Sequence, residues 1–124
     1  AILSSMSKRD MNRVFDNGKT VEENVLRLLR SAKKAGAHGA IVSPLELPLL
    51  QGEEWDAFIK VAVGIRPKWA EAIDQKRYAT PKEAIERGAD YLVIGSPILN
   101  PPRHIGSSKD ALDRVIDEIA EAKC

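Results

Sequence analysis

The sequence has few of the features that mark secreted, membrane or nucleic-acid-binding proteins. Its one cysteine, Cys124, excludes an internal disulfide and fits a reducing compartment, so we expect a cytoplasmic protein. Its apolar runs are far shorter than the roughly 20 residues that span a bilayer. A basic segment followed by an apolar stretch is absent, so no signal peptide is predicted. Nineteen basic and eighteen acidic residues leave a net charge of +1, which gives no electrostatic case for nucleic acid.

The length and composition predict one domain over residues 1–124. An apolar fraction of 44% and a charged fraction of 30% are ordinary for a globular protein outside the membrane. The cysteine and the two histidines lack the spacing of metal ligands, so we predict no metal site. A glycine-rich fingerprint does not follow the first predicted strand, which argues against dinucleotide binding.

Short apolar runs that end at glycine, serine or proline predict four strands, at residues 1–3, 39–43, 58–63 and 91–94. The run at 39–43 is continuously apolar, which is typical of a parallel strand buried on both faces. Capping boxes at Thr20 and Thr80 predict helices that end at Gly36 and Gly88. A last helix begins at Ser107 or Ser108, and residues 44–50 allow only a short helix because of Pro48.

Strands that alternate with amphipathic helices indicate an α/β fold with a parallel sheet. Polar residues follow the strands at their carboxyl ends, as they do on the active face of a (βα)8 barrel. Four βα units make half of such a barrel, so we predict a (βα)4 half-barrel. An open half leaves two strand edges and the inner apolar face in need of a cover.

Candidate ligand-binding residues lie in the segments that follow the predicted strands. Arg66 comes two residues after the strand-ending Gly64, and Gln75 is the one neutral amide in the charged run 74–77. Gly95 and Ser96 offer backbone N–H groups to a phosphate. Ser7 equally fits a ligand contact or a cap of the next segment, and the charged run equally fits a solvated loop.

The chain contains four motifs in this order: GIRP (64–67), DQKR (74–77), TPKEAI (80–85) and GADYLVIG (88–95). Together they resemble the last two βα units of orotidine 5'-phosphate decarboxylase. Residues 3–7 and 39–43 are similar to the fifth and sixth strands of that family. The resemblance covers nearly the whole chain and makes its strands the counterparts of strands 5–8 of a TIM barrel. It implies a barrel that needs no metal or organic cofactor.

The resemblance also implies a role for each candidate residue. Ser7 would touch the pyrimidine edge, and Gln75 would bridge toward the phosphate. Arg66 would lie near the phosphate or ribose, while the N–H groups of Gly95 and Ser96 would hold phosphate oxygens. Family members usually have arginine where this chain has Ser96, so a bidentate charge-assisted contact is missing here.

The family's catalytic array of lysine and aspartates belongs to its second and third strands, and no such motif is present. We therefore assign no catalytic residue and expect the chain alone to be inactive. The expected partner is an N-terminal half-barrel, with orotidine 5'-phosphate or UMP as ligand. Two alternatives stay open: a non-catalytic half-barrel that homodimerises to close a barrel, and another ribulose-phosphate-binding barrel enzyme.

Overall fold

The computed structural model describes residues 9–10, 13, 18–70 and 78–123. Predicted strand 1–3 lies outside these residues, and so do Ser7, Gln75 and Cys124. In chain order the elements are helix α1 (Val21–Lys34), strand β1 (Gly39–Val42), a 3₁₀ helix (Leu47–Leu49), strand β2 (Ile59–Ala62), helix α2 (Pro81–Glu86), strand β3 (Tyr91–Leu92), helix α3 (Ser96–Leu99) and helix α4 (Ser108–Lys123).

The three described strands form a parallel sheet in the order β1, β2, β3. Gly39 is opposite Ile59, and Val61 is opposite Tyr91. Parallel neighbours need crossover connections, and the helical segments between the strands supply them. The prediction of an α/β fold with a parallel sheet is confirmed.

Both predicted capping boxes are present. The Thr20 hydroxyl accepts from the Glu23 N–H, and the Glu23 carboxylate accepts from the Thr20 N–H; Thr80 and Glu83 make the same pair of bonds. Each capping box supplies hydrogen-bond acceptors for two backbone N–H groups that have no partner within the helix. At α4 the Ser107 hydroxyl accepts from the Asp110 N–H at 3.2 Å, so Ser107 is the cap.

The core lies between one face of the sheet and the helices. It consists of Val25, Leu29, Val42, Leu47, Leu50, Trp55, Phe58, Ala62, Ile65, Ala84 and Ala89. Trp55 is 2% exposed and meets the Phe58 ring edge-on at 5.4 Å. Because buried aromatic rings remove a large apolar area from water, these two residues contribute strongly to the core.

The other face of the sheet is open. Ile41 is 63% exposed and Tyr91 64%, and Ile59 and Val93 are exposed as well. These residues share one face because side chains alternate along a strand and the register aligns the strands. The strand at 39–43 is therefore buried on one face rather than on two, which corrects the sequence-based expectation. We call this surface the inner face.

The described helices include no segment long and apolar enough to cross a membrane.

Candidate functional site

The carboxyl ends of β2 and β3 bring two segments side by side, each of which carries one polar side chain. The Val93 N–H donates to the Ala62 carbonyl at 2.9 Å, which carries the pairing one residue past β3. Beyond this point lie residues 63–66 on one side and 93–96 on the other. The edge formed by strand carboxyl ends is where parallel α/β proteins place their ligands.

Arg66 is anchored at this edge through its backbone. Gly64 has a φ of +69°, a left-handed conformation that glycine adopts readily and that turns the chain away from β2. After this turn, Arg66 donates its N–H to the Ala79 carbonyl at 2.9 Å, and Ala79 donates its own N–H to the Gly64 carbonyl at 3.1 Å. The loop between residues 66 and 79 therefore starts and ends at adjacent points.

The Arg66 side chain reaches across to the segment after β3. Its Nη2 donates to the Ser96 Oγ at 3.3 Å, a long hydrogen bond between residues that are 30 apart in the sequence. Arg66 is half-buried, whereas Gly95 and Ser96 are exposed. The guanidinium has five N–H donors in a rigid fork, a geometry that matches the oxygens of an anion such as phosphate.

A small cavity lies beside this pair. Its volume is about 210 Å³, and it is lined by Val63, Gly64, Ile65, Arg66, Val93, Gly95, Ser96 and Pro97. Cavities that hold a whole small-molecule ligand are usually 300–1,000 Å³. This cavity therefore suits a group of phosphate size, and the rest of a larger ligand would lie outside it.

Three of the five predicted site residues, Arg66, Gly95 and Ser96, meet at this cavity. The other two, Ser7 and Gln75, lie outside the described residues. The segment after β3 contains a helix that the sequence analysis did not predict: Ser96–Leu99 forms the short helix α3, with Pro97 in its first turn. Proline at a helix start is favourable, and this signal was present in the sequence.

A second, larger cavity lies between α2, α4 and the segment at Lys68 and Trp69. It measures about 600 Å³ and is lined by Lys68, Trp69, Thr80, Lys82, Glu83, Arg114, Asp117, Glu118 and Glu121. Three basic and four acidic side chains leave it without an excess of positive charge. The Thr80 backbone N–H holds the pKa of Glu83 below its usual value, since the hydrogen bond favours the carboxylate. Sequence reasoning did not anticipate this cavity.

No lysine of the described strands reaches the inner face. Lys60 is the one lysine in β1, β2 or β3, and it alternates with the inner-face residues Ile59 and Val61. Its side chain therefore points to the helical layer, where it is buried. Among the described residues no group of three histidine, cysteine, aspartate or glutamate side chains could hold a metal ion.

Comparison with known proteins shows the family to which the chain belongs. The family model described as orotidine 5'-phosphate decarboxylase / HUMPS family matches residues 1–110. This chain belongs to that family. The orotidine 5'-phosphate decarboxylase of Heliobacterium modesticaldum is 39% identical over 120 residues, and that of Geobacter sulfurreducens is 41% identical over 115.

The three-dimensional structure is also similar to that of a family member. Both the sequence and the structural similarity cover only part of each relative's length. The crystal structure of orotidine 5'-phosphate decarboxylase from Lactobacillus acidophilus resembles this chain with a TM-score of 0.72 and 33% identity. The similarity covers 95% of this chain and 46% of that one. The H. modesticaldum and G. sulfurreducens matches cover 97% and 93% of this chain but 48% of each relative. The chain thus spans about half the length of the proteins it matches, as expected of a half-barrel.

Proposed function

We propose that this chain is the C-terminal half of an orotidine 5'-phosphate decarboxylase and supplies the binding of the substrate's phosphate and pyrimidine. The main support for this proposal is the contact between Arg66 and Ser96, which lies beside a cavity of phosphate size at the strand ends. The reaction would convert orotidine 5'-phosphate to UMP and carbon dioxide in pyrimidine biosynthesis. The single cysteine supports a cytoplasmic location.

In this proposal Arg66 is the main phosphate ligand. Its permanently charged fork matches the geometry of phosphate oxygens, and hydrogen bonds to a charged partner are about twice as strong as neutral ones. Ser96 adds a hydroxyl donor. Gly95 and Ser96 line the same cavity, so their N–H groups are proposed to hold phosphate oxygens. The paired ends of the 66–79 loop support this role, because they hold the Arg66 backbone in place.

Gln75 is proposed as a second phosphate ligand. It comes four residues before Ala79, whose backbone is bonded to Gly64 and Arg66. Four residues span at most about 14 Å, so the chain length keeps Gln75 within reach of the cavity. Ser7 is proposed to contact the pyrimidine edge, as the family resemblance implies.

The catalytic groups are proposed to come from the complementary N-terminal half. Loss of the carboxylate as carbon dioxide leaves an electron pair at C6 of the pyrimidine, which takes a proton from a lysine. Lys60 is directed away from the inner face, so it is not placed to provide this proton. A complementary half would also cover the inner face, whose exposed apolar residues are costly to leave in water.

The alternative is a non-catalytic half-barrel that pairs with a second copy of itself. The same open inner face supports it, because a second copy could close a barrel too. The two proposals differ in turnover: a second copy brings no lysine from its described strands to the inner face, whereas an N-terminal half would bring the catalytic lysine. Dimerisation without turnover in the presence of that half would favour the scaffold.

Calorimetric titration tests the binding role directly. UMP, uridine and inorganic phosphate are each titrated into the chain at neutral pH. We expect UMP to bind more tightly than uridine by about tenfold or more, the size of one charge-assisted contact, and inorganic phosphate to compete with it. Equal affinities for UMP and uridine would contradict a phosphate site at Arg66.

A further inference from the structure

The start of helix α2 has one backbone N–H group that its capping box leaves without an acceptor. The first residue, Pro81, has no N–H group, and the N–H of Glu83 donates to the Thr80 hydroxyl. The N–H of Lys82, between these two residues, has no acceptor within the helix. It donates instead to the Oε1 atom of Glu118 on α4, at 3.2 Å. A side chain of α4 therefore completes the cap of α2.

Glu118 lies on the buried face of α4, and α4 packs against α2. It follows Ala111 by seven residues and Val115 by three, and these spacings place all three residues on one side of a helix. Ala111 and Val115 are buried, and Glu118 is half-buried. A carboxylate at this place also suits the partial positive charge at the start of a helix. The hydrogen bond from Lys82 to Glu118 thus joins the two helices at the start of α2.

The start of α2 is also tied to the backbone of Arg66. The cap residue Thr80 directly follows Ala79, which is 3% exposed. Ala79 donates its N–H to the Gly64 carbonyl at 3.1 Å, and its carbonyl accepts the Arg66 N–H at 2.9 Å. Ala79 therefore lies between the backbone of Arg66 and the cap that Glu118 completes. Because one rigid peptide unit joins Ala79 to the cap residue, a shift of the cap moves the acceptor of the Arg66 N–H.

We propose that Glu118 is a positioning residue for the phosphate ligand Arg66. Glu118 holds the start of α2, the cap of α2 holds Ala79, and the Ala79 carbonyl holds the Arg66 backbone. The Arg66 side chain extends from this backbone to the Ser96 hydroxyl beside the cavity. This role rests on the proposed function, because it requires Arg66 to bind phosphate. The family model matches residues 1–110 and does not reach Glu118.

Three substitutions separate the hydrogen bond of Glu118 from the packing of α4. Glu118→Ala removes the acceptor of the Lys82 N–H. Glu118→Gln removes the charge and keeps a carbonyl oxygen that can accept the same hydrogen bond. Val115→Ala is the packing control, since it shortens a buried side chain on the same face and leaves Glu118 in place.

Hydrogen exchange measures the positioning without any ligand. The probes are the backbone N–H groups of Arg66 and Ala79. The reference is the Val63 N–H, which donates to the Val42 carbonyl at 3.0 Å. We expect Glu118→Ala to speed exchange at the probes by about tenfold relative to the reference, because the loss of a hydrogen bond to a charged group loosens the local structure.

The other two variants distinguish positioning from general stability. Glu118→Gln should keep exchange at the probes within about threefold of the unsubstituted chain, since the hydrogen bond is retained. Val115→Ala should speed exchange at the probes and at the reference alike, because weaker packing lowers the stability of the whole chain.

Calorimetry with UMP and uridine measures the effect on phosphate binding. We expect Glu118→Ala to lower the ratio of UMP affinity to uridine affinity by about threefold or more. Glu118→Gln should restore most of this ratio, and Val115→Ala should leave it unchanged. If the unsubstituted chain binds UMP no more tightly than uridine, the proposed function fails, and hydrogen exchange still decides whether Glu118 positions Arg66.

Three results would overturn the inference. The first is unchanged exchange at the Arg66 and Ala79 probes in Glu118→Ala. The second is the exchange pattern of Glu118→Ala appearing equally in Glu118→Gln or in Val115→Ala. The third is an unchanged ratio of UMP to uridine affinity in Glu118→Ala when the unsubstituted chain prefers UMP.

Discussion

Arg66 occupies its place because the backbone on both sides of it is fixed. The turn at Gly64 and the backbone hydrogen bonds to Ala79 fix the point from which the Arg66 side chain extends. The Ser96 hydroxyl accepts a hydrogen bond from the guanidinium at the other end of that side chain. The sequence could predict that Arg66 begins at a strand end, because the glycine two residues earlier marks that end. The pairing with Ser96 could not be predicted, since it joins residues 30 apart and depends on the strand register.

Removal of the Arg66 guanidinium should weaken UMP binding. A hydrogen bond to a charged group contributes about 1.5–3 kcal/mol, so we expect Arg66→Ala to raise the dissociation constant for UMP about 10- to 100-fold. Calorimetry on the variant measures this, with uridine as a ligand that should be unaffected. Arg27→Ala, an exposed arginine on α1, is the matched control and should bind UMP normally. An unchanged UMP affinity in Arg66→Ala would contradict the assignment.

Ser96 should act partly through Arg66. Ser96→Ala removes the acceptor for Nη2, and we expect a smaller loss of UMP affinity than in Arg66→Ala because the guanidinium charge remains. In the Arg66→Ala background the same substitution should have less effect, as coupled residues show in a double-mutant cycle. Strictly additive effects of the two substitutions would show that Ser96 contacts the phosphate independently.

At the scale of elements, local chemistry made α1, α2 and α4 predictable. Each begins with a serine or threonine cap that bonds to the acidic residue three positions later. The sequence did not predict helix α3, because a four-residue segment is too short to show the periodicity of a helix. The single-sided burial of β1 was also missed, since a continuous apolar run looks the same whether or not the other half of a barrel is present.

The capping box of α2 predicts a pH-dependent stability. The Thr80 N–H lowers the pKa of Glu83 in the folded chain below its ordinary value of 4.5. The stabilisation is therefore fully present above pH 4.5 and is lost as the pH falls through the lower folded value. Glu83→Gln should be less stable than the unsubstituted chain at pH 7, and the difference should shrink by pH 3.

Urea unfolding at the two pH values measures this difference. Glu86→Gln is the control on the same helix, because that carboxylate makes only a 4.0 Å ion pair with the exposed Lys82. Thr80→Ala should cost about 1 kcal/mol at pH 7, as the loss of an N-cap usually does. If the difference in the free energy of unfolding between Glu83→Gln and the unsubstituted chain stays constant with pH, the capping box of α2 is not formed.

Close packing of β1 against β2 depends on Gly39. A Cβ at this position would lie 2.4 Å from the Ile59 carbonyl oxygen and 2.7 Å from the Ile59 Cβ, so the strands would have to move apart. We expect Gly39→Ala to lower the free energy of unfolding by about 1–3 kcal/mol, the usual cost of overpacking. Thermal or urea unfolding measures it, and a variant as stable as the unsubstituted chain would contradict this packing.

At the scale of the whole molecule, the parallel α/β fold and the polar strand ends could be predicted from the sequence. The pattern of short strands and capped helices determines the sheet type, and glycines mark where the strands stop. What covers the inner face could not be predicted, because the covering residues belong to other elements or another chain. We therefore propose that this chain binds the substrate while a complementary half performs the chemistry.

The most direct test is the decarboxylation of orotidine 5'-phosphate, followed as the loss of substrate absorbance. It is run with the purified chain alone and again after addition of the unmatched segment of the H. modesticaldum enzyme. We predict no turnover by the chain alone and turnover in the mixture that Arg66→Ala reduces. Turnover by the chain alone, or none in a mixture that associates, would contradict the claim.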